Sequence, residues 1–119
     1  MDFELTQEQR MLQKMARDLA EKHFKPKAFT WAKAEEYPWE NAKILAQNGM
    51  LGLRIPEKDG GGGGTLMDAV LAMEQITMVC PNSGDVFQAG NFGSIQQVAS
   101  LGSKELKKKV LPPLLAGDT

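Results

Sequence analysis

The sequence predicts an all-α fold, an irregular up-and-down bundle of about six helices in one domain spanning residues 1–119. Apolar residues recur at helical spacing along several segments, and residue types that favour helix N-caps precede those segments. The one short apolar run that resembles a strand, residues 50–56, ends in a proline, which argues against a long strand. A chain of this length can bury well over half of the surface that it exposes when unfolded.

The composition excludes several classes of function. Hydrophobic residues make up 42% of the chain and charged residues 24%, and the net charge is -1 with acidic and basic residues mixed. Such a chain has neither a basic surface for nucleic acid nor a cationic face for a membrane. Cys80 is the only cysteine, which rules out an internal disulfide and a CxxC motif. The first residues lack the pattern of a signal peptide, so we expect a cytoplasmic protein.

The first helix is predicted to begin at Thr6. This residue is a suitable N-cap, and Gln9 follows at the position of a capping box. Apolar residues continue at helical spacing as far as Phe24, and Pro26 is expected to end or redirect the helix. A weaker helical segment is predicted over residues 28–35.

A third helix is predicted to begin near Pro38, because proline is favoured in the first helical turn. Gly49 suits the position just after its C-terminus. Residues 50–56 are expected to form an extended connector. Residues 59–64, which include five consecutive glycines, are expected to form a flexible loop. A phosphate-binding loop is the alternative there, but the lysine of a P-loop is missing.

The fourth helix, residues 65–80, is the most informative element. Thr65 is its predicted N-cap, and apolar residues then cover nearly the whole circumference. A helix of this kind needs neighbours on almost every side, and a small bundle offers few. We therefore expect this helix to lie at the centre of the domain or to contact another one.

Two further helices are predicted. The chain is expected to break at residues 81–83, and a fifth helix to run from Gly84 to Leu101. That helix would contain Gly90 and Gly93, each of which costs about 1 kcal/mol relative to alanine. Two glycines in one turn suggest that another group approaches the backbone there. Ser103 is the predicted N-cap of the sixth helix, which we expect residues 112–113, both proline, to interrupt.

The order of several short motifs resembles one known family. The opening LTQEQ of residues 5–9, the LAQNGMLG of residues 45–52 and the IPE of residues 55–57 stand in the order and spacing found in acyl-CoA dehydrogenases. The last segment, from Gly102-Ser103 to Gly117-Asp118, resembles the end of that family's N-terminal helical domain. The resemblance covers essentially the whole chain.

The resemblance implies a function. Enzymes of this family bind FAD, oxidise the Cα–Cβ bond of acyl-CoA thioesters and pass electrons to an electron-transfer flavoprotein. It also implies a middle and a C-terminal domain beyond this chain, and a homo-oligomer. The base and most flavin contacts lie in those other domains, so no catalytic residue is assigned here. Acyl-CoA oxidases and related flavin monooxygenases share this helical domain and remain alternatives, as does a stand-alone binding or scaffold module.

The resemblance also implies a substrate-binding segment. In the family, the stretch that corresponds to residues 88–94 lies near the acyl chain, which makes candidates of Gln88, Gly90, Asn91, Phe92 and Gly93. The two glycines would leave a groove for methylene groups, and the phenyl ring would set its depth. Close helix packing through small residues is the alternative. If the groove is correct, Gly90→Leu should penalise long acyl substrates more than short ones.

Overall fold

The computed structural model describes residues 2–119, which form an all-helical bundle without a strand among them. The predicted all-α class is therefore confirmed. The described residues contain seven α-helices, one more than expected. They are α1 (Gln7–Leu19), α2 (Ala28–Lys33), α3 (Trp39–Gln47), α4 (Leu66–Val79), α5 (Pro81–Asn91), α6 (Ser94–Leu101) and α7 (Lys104–Leu115).

Helix α1 begins as predicted. The Gln9 N–H donates to Thr6 Oγ1 (3.1 Å), and the Thr6 N–H donates to Gln9 Oε1 (2.9 Å), which completes a capping box. The chain stays helical beyond α1, first as a π-helical turn over Ala20–Phe24 and then as a 3-10 turn over Lys25–Lys27. Pro26 lies in the second turn, so the chain remains helical there and does not end sharply.

Helix α4 packs between α1 and α5, and these are its two most extensive neighbours. Its own capping box joins Thr65 and Asp68, with the Thr65 N–H donating to Asp68 Oδ2 at 2.8 Å. Both N-caps, Thr6 and Thr65, line the same shallow depression. The two helices therefore begin at the same end of the bundle and run in parallel.

Removing the α4 cap should be measurable. Thr65→Ala is expected to lower the free energy of unfolding by about 1 kcal/mol, because the Asp68 N–H loses its acceptor. Thr65→Ser keeps the hydroxyl and should leave stability nearly unchanged. Urea unfolding followed by circular dichroism measures both. Equal stability of the alanine and serine variants would show that the cap contributes nothing.

The core consists of two clusters of buried side chains. The larger joins α1, α3, α4 and α5, with Phe24, Leu45, Ile76 and Phe87 all fully buried. The smaller lies where α6 and α7 meet the turn that precedes α4, and its members are Ile55, Ile95, Ala99 and Leu111. The two clusters together hold the bundle without a sheet.

The single fifth helix predicted over residues 84–101 is wrong. Helix α5 begins at Pro81, which occupies the first helical turn, and ends at Asn91. Phe92 is extended, and Gly93 takes a φ of +65°, which favours glycine. The chain turns there and continues as α6, so this glycine ends one helix and precedes the next.

The glycine run is folded onto the chain rather than free. Pro56 is followed by a 3-10 turn over Glu57–Asp59, and the N–H groups of the four glycines after Gly60 all donate to backbone carbonyls of residues 52–56. The pairs are Gly61 to Pro56 (3.1 Å), Gly62 to Gly52 (2.9 Å), Gly63 to Ile55 (2.8 Å) and Gly64 to Leu53 (2.6 Å). These donors are therefore not available to cradle a phosphate, and residues 50–56 form turns rather than an extended connector.

Helix α7 does not stop at its prolines. It continues to Leu115 with Pro112 and Pro113 inside it. A proline removes the N–H that would bond the carbonyl four residues earlier, and here those carbonyls belong to the exposed residues Lys108 and Lys109. Water can replace a lost partner at such positions, which explains why the predicted interruption does not occur.

Candidate functional site

A concave groove with a volume of about 690 Å³ lies between α4 and α5. We call it the α4–α5 groove. Five of its residues lie on α4, one on α5 and one directly after α5. They are Val70, Met73, Glu74, Thr77, Met78, Gln88 and Phe92. The α4 residues are spaced as i, i+3, i+4, i+7 and i+8, which places them along one face of that helix.

The groove is mainly apolar. Val70 is 37% exposed and Met78 is 64% exposed, so the bundle leaves part of the hydrophobic surface of α4 uncovered. The polar residues in the lining are Glu74, Thr77 and Gln88. The lining identified within residues 2–119 includes no cationic side chain. This chemistry suits an apolar ligand better than an anionic one.

The distance between the two helices depends on Gly84, which is buried in α5 opposite Thr77. A Cβ placed on Gly84 would overlap Thr77 Oγ1 and would lie 3.0 Å from Thr77 Cβ. The hydroxyl of Thr77 is buried there and has no hydrogen-bond partner within the described part of the chain. The absence of a side chain at residue 84 therefore allows α4 and α5 to pack closely at the floor of the groove.

Of the five substrate-binding candidates, Gln88 and Phe92 line the groove, whereas Gly90, Asn91 and Gly93 are not among its lining residues. A Cβ on Gly90 would lie 2.5 Å from Leu51 Cδ2, and the Gly90 carbonyl accepts a hydrogen bond from the Gly52 N–H (2.8 Å). Gly90 therefore packs against Leu51 outside the groove, and its predicted role in leaving room for methylene groups stays a prediction. Gly90→Leu would disturb packing against the Met50–Leu53 turn rather than probe the groove.

Asn91 is fully buried and bonds the same turn. Its Nδ2 donates to the carbonyls of Met50 (2.8 Å) and Phe87 (2.9 Å), and its Oδ1 accepts from the Leu53 N–H (2.7 Å). This side chain joins the end of α5 to the turn that precedes the glycine run. Asn91 thus holds the neighbouring Phe92 in place without itself reaching the groove.

Phe92 has a second support. The Arg54 guanidinium lies over its ring, with Cζ 5.6 Å from the ring centroid, a favourable cation–π distance. Arg54 directly follows Leu53, whose N–H donates to Asn91. The position of the phenyl ring at the groove therefore depends on the turn as well as on the end of α5.

The α4 side of the groove is the part that sequence reasoning missed. The apolar circumference of α4 predicted that part of its surface would remain uncovered. The five substrate-binding candidates nevertheless came from residues 88–93, in and just after α5. The usable signal was the stripe of Val70, Met73, Thr77 and Met78 at helical spacing, interrupted by one carboxylate at Glu74.

Metal sites and membrane-spanning helices are two further possibilities within residues 2–119. No group of three or more His, Cys, Asp or Glu side chains could hold a metal ion there. None of the helices in this range combines the length and apolar composition that a bilayer crossing requires. The lining of the α4–α5 groove includes a carboxylate and no cationic side chain, so its residues do not fit the pyrophosphate of FAD as a directly bound ligand.

The fold and the groove define an all-helical domain with an apolar face that its own helices leave partly uncovered. Residues 6–118 match the model of the family described as "Acyl-CoA dehydrogenase, N-terminal domain". The chain therefore belongs to the acyl-CoA dehydrogenase family, as its N-terminal domain.

Two relatives and one solved structure are similar to nearly the whole chain, and the structure, at 24% identity, shows the shared fold. A 3-sulfinopropanoyl-CoA desulfinase of Variovorax paradoxus is 36% identical over 98% of this chain and 29% of its own length. A short-chain specific acyl-CoA dehydrogenase of Clostridium acetobutylicum is 35% identical over 99% of this chain and 31% of its own length. The crystal structure of an acyl-CoA dehydrogenase of Geobacillus kaustophilus matches with a TM-score of 0.87 at 24% identity, over 99% of this chain and 31% of that one. The chain thus spans less than a third of the length of these relatives.

Proposed function

We propose that the α4–α5 groove receives the acyl chain of an acyl-CoA thioester in a flavin-dependent acyl-CoA dehydrogenase. The observation that carries the proposal is the uncovered apolar stripe on α4, which faces Gln88 and Phe92 across the groove. Membership of the family and the similarity to a short-chain specific acyl-CoA dehydrogenase support oxidation of the Cα–Cβ bond as the proposed reaction. Within that enzyme, this chain contributes a wall of the site and no catalytic residue.

The chemistry of the groove matches an alkyl chain. Transfer of each methylene group from water to an apolar surface contributes about 0.8 kcal/mol, which corresponds to nearly fourfold in affinity. The flexible side chain of Met78 can adapt its shape to an alkyl chain. The flat ring of Phe92 offers a surface against which methylene groups pack. The Glu74 carboxylate would repel an acyl group that ends in an anion, so a neutral chain is favoured.

FAD belongs to the proposed enzyme as a whole. The groove does not fit the dinucleotide, and the further domains that the family implies would supply its contacts. The role of this domain in the reaction is to cover the active site and exclude water from it. Exclusion of water strengthens electrostatic interactions around the reacting atoms. An electron-transfer flavoprotein as partner, a homo-oligomer and a cytoplasmic location complete the proposal. The buried, unpaired thiol of Cys80 suits such a reducing compartment.

A pair of matched methionines tests the groove. Met78 and Met11 are both helical and both 64% exposed, but only Met78 lines the α4–α5 groove. Met78→Gln is expected to weaken binding of dodecanoyl-CoA roughly fivefold and of butyryl-CoA much less, because apolar contact is lost along the chain. Isothermal titration calorimetry measures the affinities.

Met11→Gln is the control and should leave both affinities unchanged. Equal losses in the two variants would contradict the proposed groove. The same conclusion would follow if the affinity did not depend on the length of the acyl chain in the unmodified protein.

A further inference from the structure

A second concave surface lies between the 3-10 turn Glu57–Asp59 and α7, with a volume of about 520 Å³. We call it the lysine groove. Its lining consists of Lys58, Asp59, Gly60, Lys104, Lys107, Lys108, Leu111 and Pro112. It shares no lining residue with the α4–α5 groove. Four ammonium groups thus face one carboxylate in a chain whose net charge is -1.

A largely buried ion pair holds the two sides of the lysine groove together. Lys107 Nζ lies 3.4 Å from Asp59 Oδ2, and the two side chains are only 19% and 14% exposed. This pair joins α7 to the 3-10 turn and uses the one carboxylate in the lining. Lys58, Lys104 and Lys108 form no ion pair within the described part of the chain.

The arrangement of the lysines is unfavourable for the helix by itself. Lys104, Lys107 and Lys108 are three and four residues apart, so their like charges lie side by side on α7. Lys104 also lies in the first turn of the helix, where the dipole favours an acidic residue. A polyanion in the groove would relieve both repulsions, and positions where a sequence breaks such local rules are candidates for function.

We propose that the lysine groove binds a small anion that carries phosphate groups. The ligand is small because the groove is concave and its volume falls within the range of about 300–1,000 Å³ typical of small-molecule sites. Lysine ammonium groups act as point charges for phosphate oxygens, and Lys58 approaches from the side opposite α7. The phosphates of an inorganic anion and those of a nucleotide share this chemistry, and the experiment separates the two sources.

Calorimetric titration with pyrophosphate at low ionic strength tests the proposal. Saturable binding is expected, and Lys58→Met and Lys108→Met should each weaken it about tenfold, because each removes a charge-assisted contact. Lys109→Met is the matched control, since Lys109 lies on the same helix but outside the groove lining. Asp59→Asn should strengthen binding, because it removes the opposing carboxylate and releases Lys107.

Thermal unfolding of each variant separates loss of binding from loss of the fold. Titration with ADP then identifies the kind of ligand that carries the phosphate groups. Tighter binding of ADP than of pyrophosphate assigns the site to a nucleotide. Weaker binding of ADP assigns it to an inorganic anion. The proposal fails if pyrophosphate does not saturate the protein, or if Lys109→Met weakens binding as much as Lys108→Met does. It also fails if poly-glutamate binds and pyrophosphate does not. None of these outcomes depends on the α4–α5 groove.

Discussion

Asn91→Leu is expected to lower the free energy of unfolding by about 4 kcal/mol, roughly 2 kcal/mol for each of two backbone groups left without this partner. Those groups are the Leu53 N–H and the Met50 carbonyl, which the Asn91 amide binds at 2.7 and 2.8 Å. The side chain is fully buried, so water cannot replace it without a rearrangement. Urea unfolding followed by circular dichroism measures the loss.

Asn48→Leu is the control for this variant. Asn48 is exposed and donates to the Ile44 carbonyl at 2.8 Å, so its replacement should change stability by no more than about 0.5 kcal/mol. If Asn91→Leu and Asn48→Leu were equally stable, the Met50–Leu53 turn would not depend on the buried amide. The position of Phe92 at the groove would then need another explanation.

Gly84→Ala is expected to destabilise the chain by about 2 kcal/mol, although alanine is the better helix former by about 1 kcal/mol. The new methyl group would overlap the Thr77 side chain, so α4 and α5 would have to separate. The double variant Gly84→Ala/Thr77→Ala removes Thr77 Oγ1 and Cγ2 and should recover part of the loss, because only Cβ of residue 77 remains in close contact, at 3.0 Å. Thermal or urea unfolding of the two single variants and the double variant gives the coupling energy.

Additive effects would contradict this account of the helix contact. If Thr77→Ala did not rescue Gly84→Ala, the glycine would serve a role other than close approach to Thr77. If the double variant regained stability but bound acyl-CoA with a different affinity, the spacing of α4 and α5 would also shape the groove.

Local signals in the sequence predicted local structure well. The caps at Thr6 and Thr65 follow from hydrogen bonds between residues three apart, which a sequence displays directly. Ser103 caps α7 in the same way, with Oγ accepting from the Leu106 N–H at 3.1 Å. Gly49, predicted to follow α3, has a φ of +70°, which is the conformation expected there.

Features that depend on distant partners were predicted less well. Gly90 was read as space for a ligand because nothing in the sequence shows that Leu51 lies against it. The glycine run was read as flexible because its hydrogen bonds go to the turn of residues 52–56, whose shape only the folded chain reveals. The break after α5 depends on the positive φ of Gly93. Glycine adopts this conformation as readily as a helical one, so the sequence pattern does not show which of the two occurs.

The α4 surface is an intermediate case. Its all-round apolar character predicted that α4 needs more neighbours than a small bundle provides, and Met78 and Leu66 indeed remain 64% and 54% exposed. A stand-alone module would be expected to seal such a surface with polar side chains. The open stripe instead fits a domain whose groove is completed by a ligand and by further parts of the enzyme.

Photolabelling measures the central claim most directly. An acyl-CoA with a diazirine at the end of its acyl chain would be irradiated with the protein, and the labelled peptides identified by mass spectrometry. We expect adducts within Val70–Met78 and on the segment from Gln88 to Phe92, suppressed by an excess of unlabelled acyl-CoA. Labelling centred on the exposed Met11 and Met15 of α1, or labelling that an excess of acyl-CoA does not suppress, would contradict the claim that the α4–α5 groove holds the acyl chain.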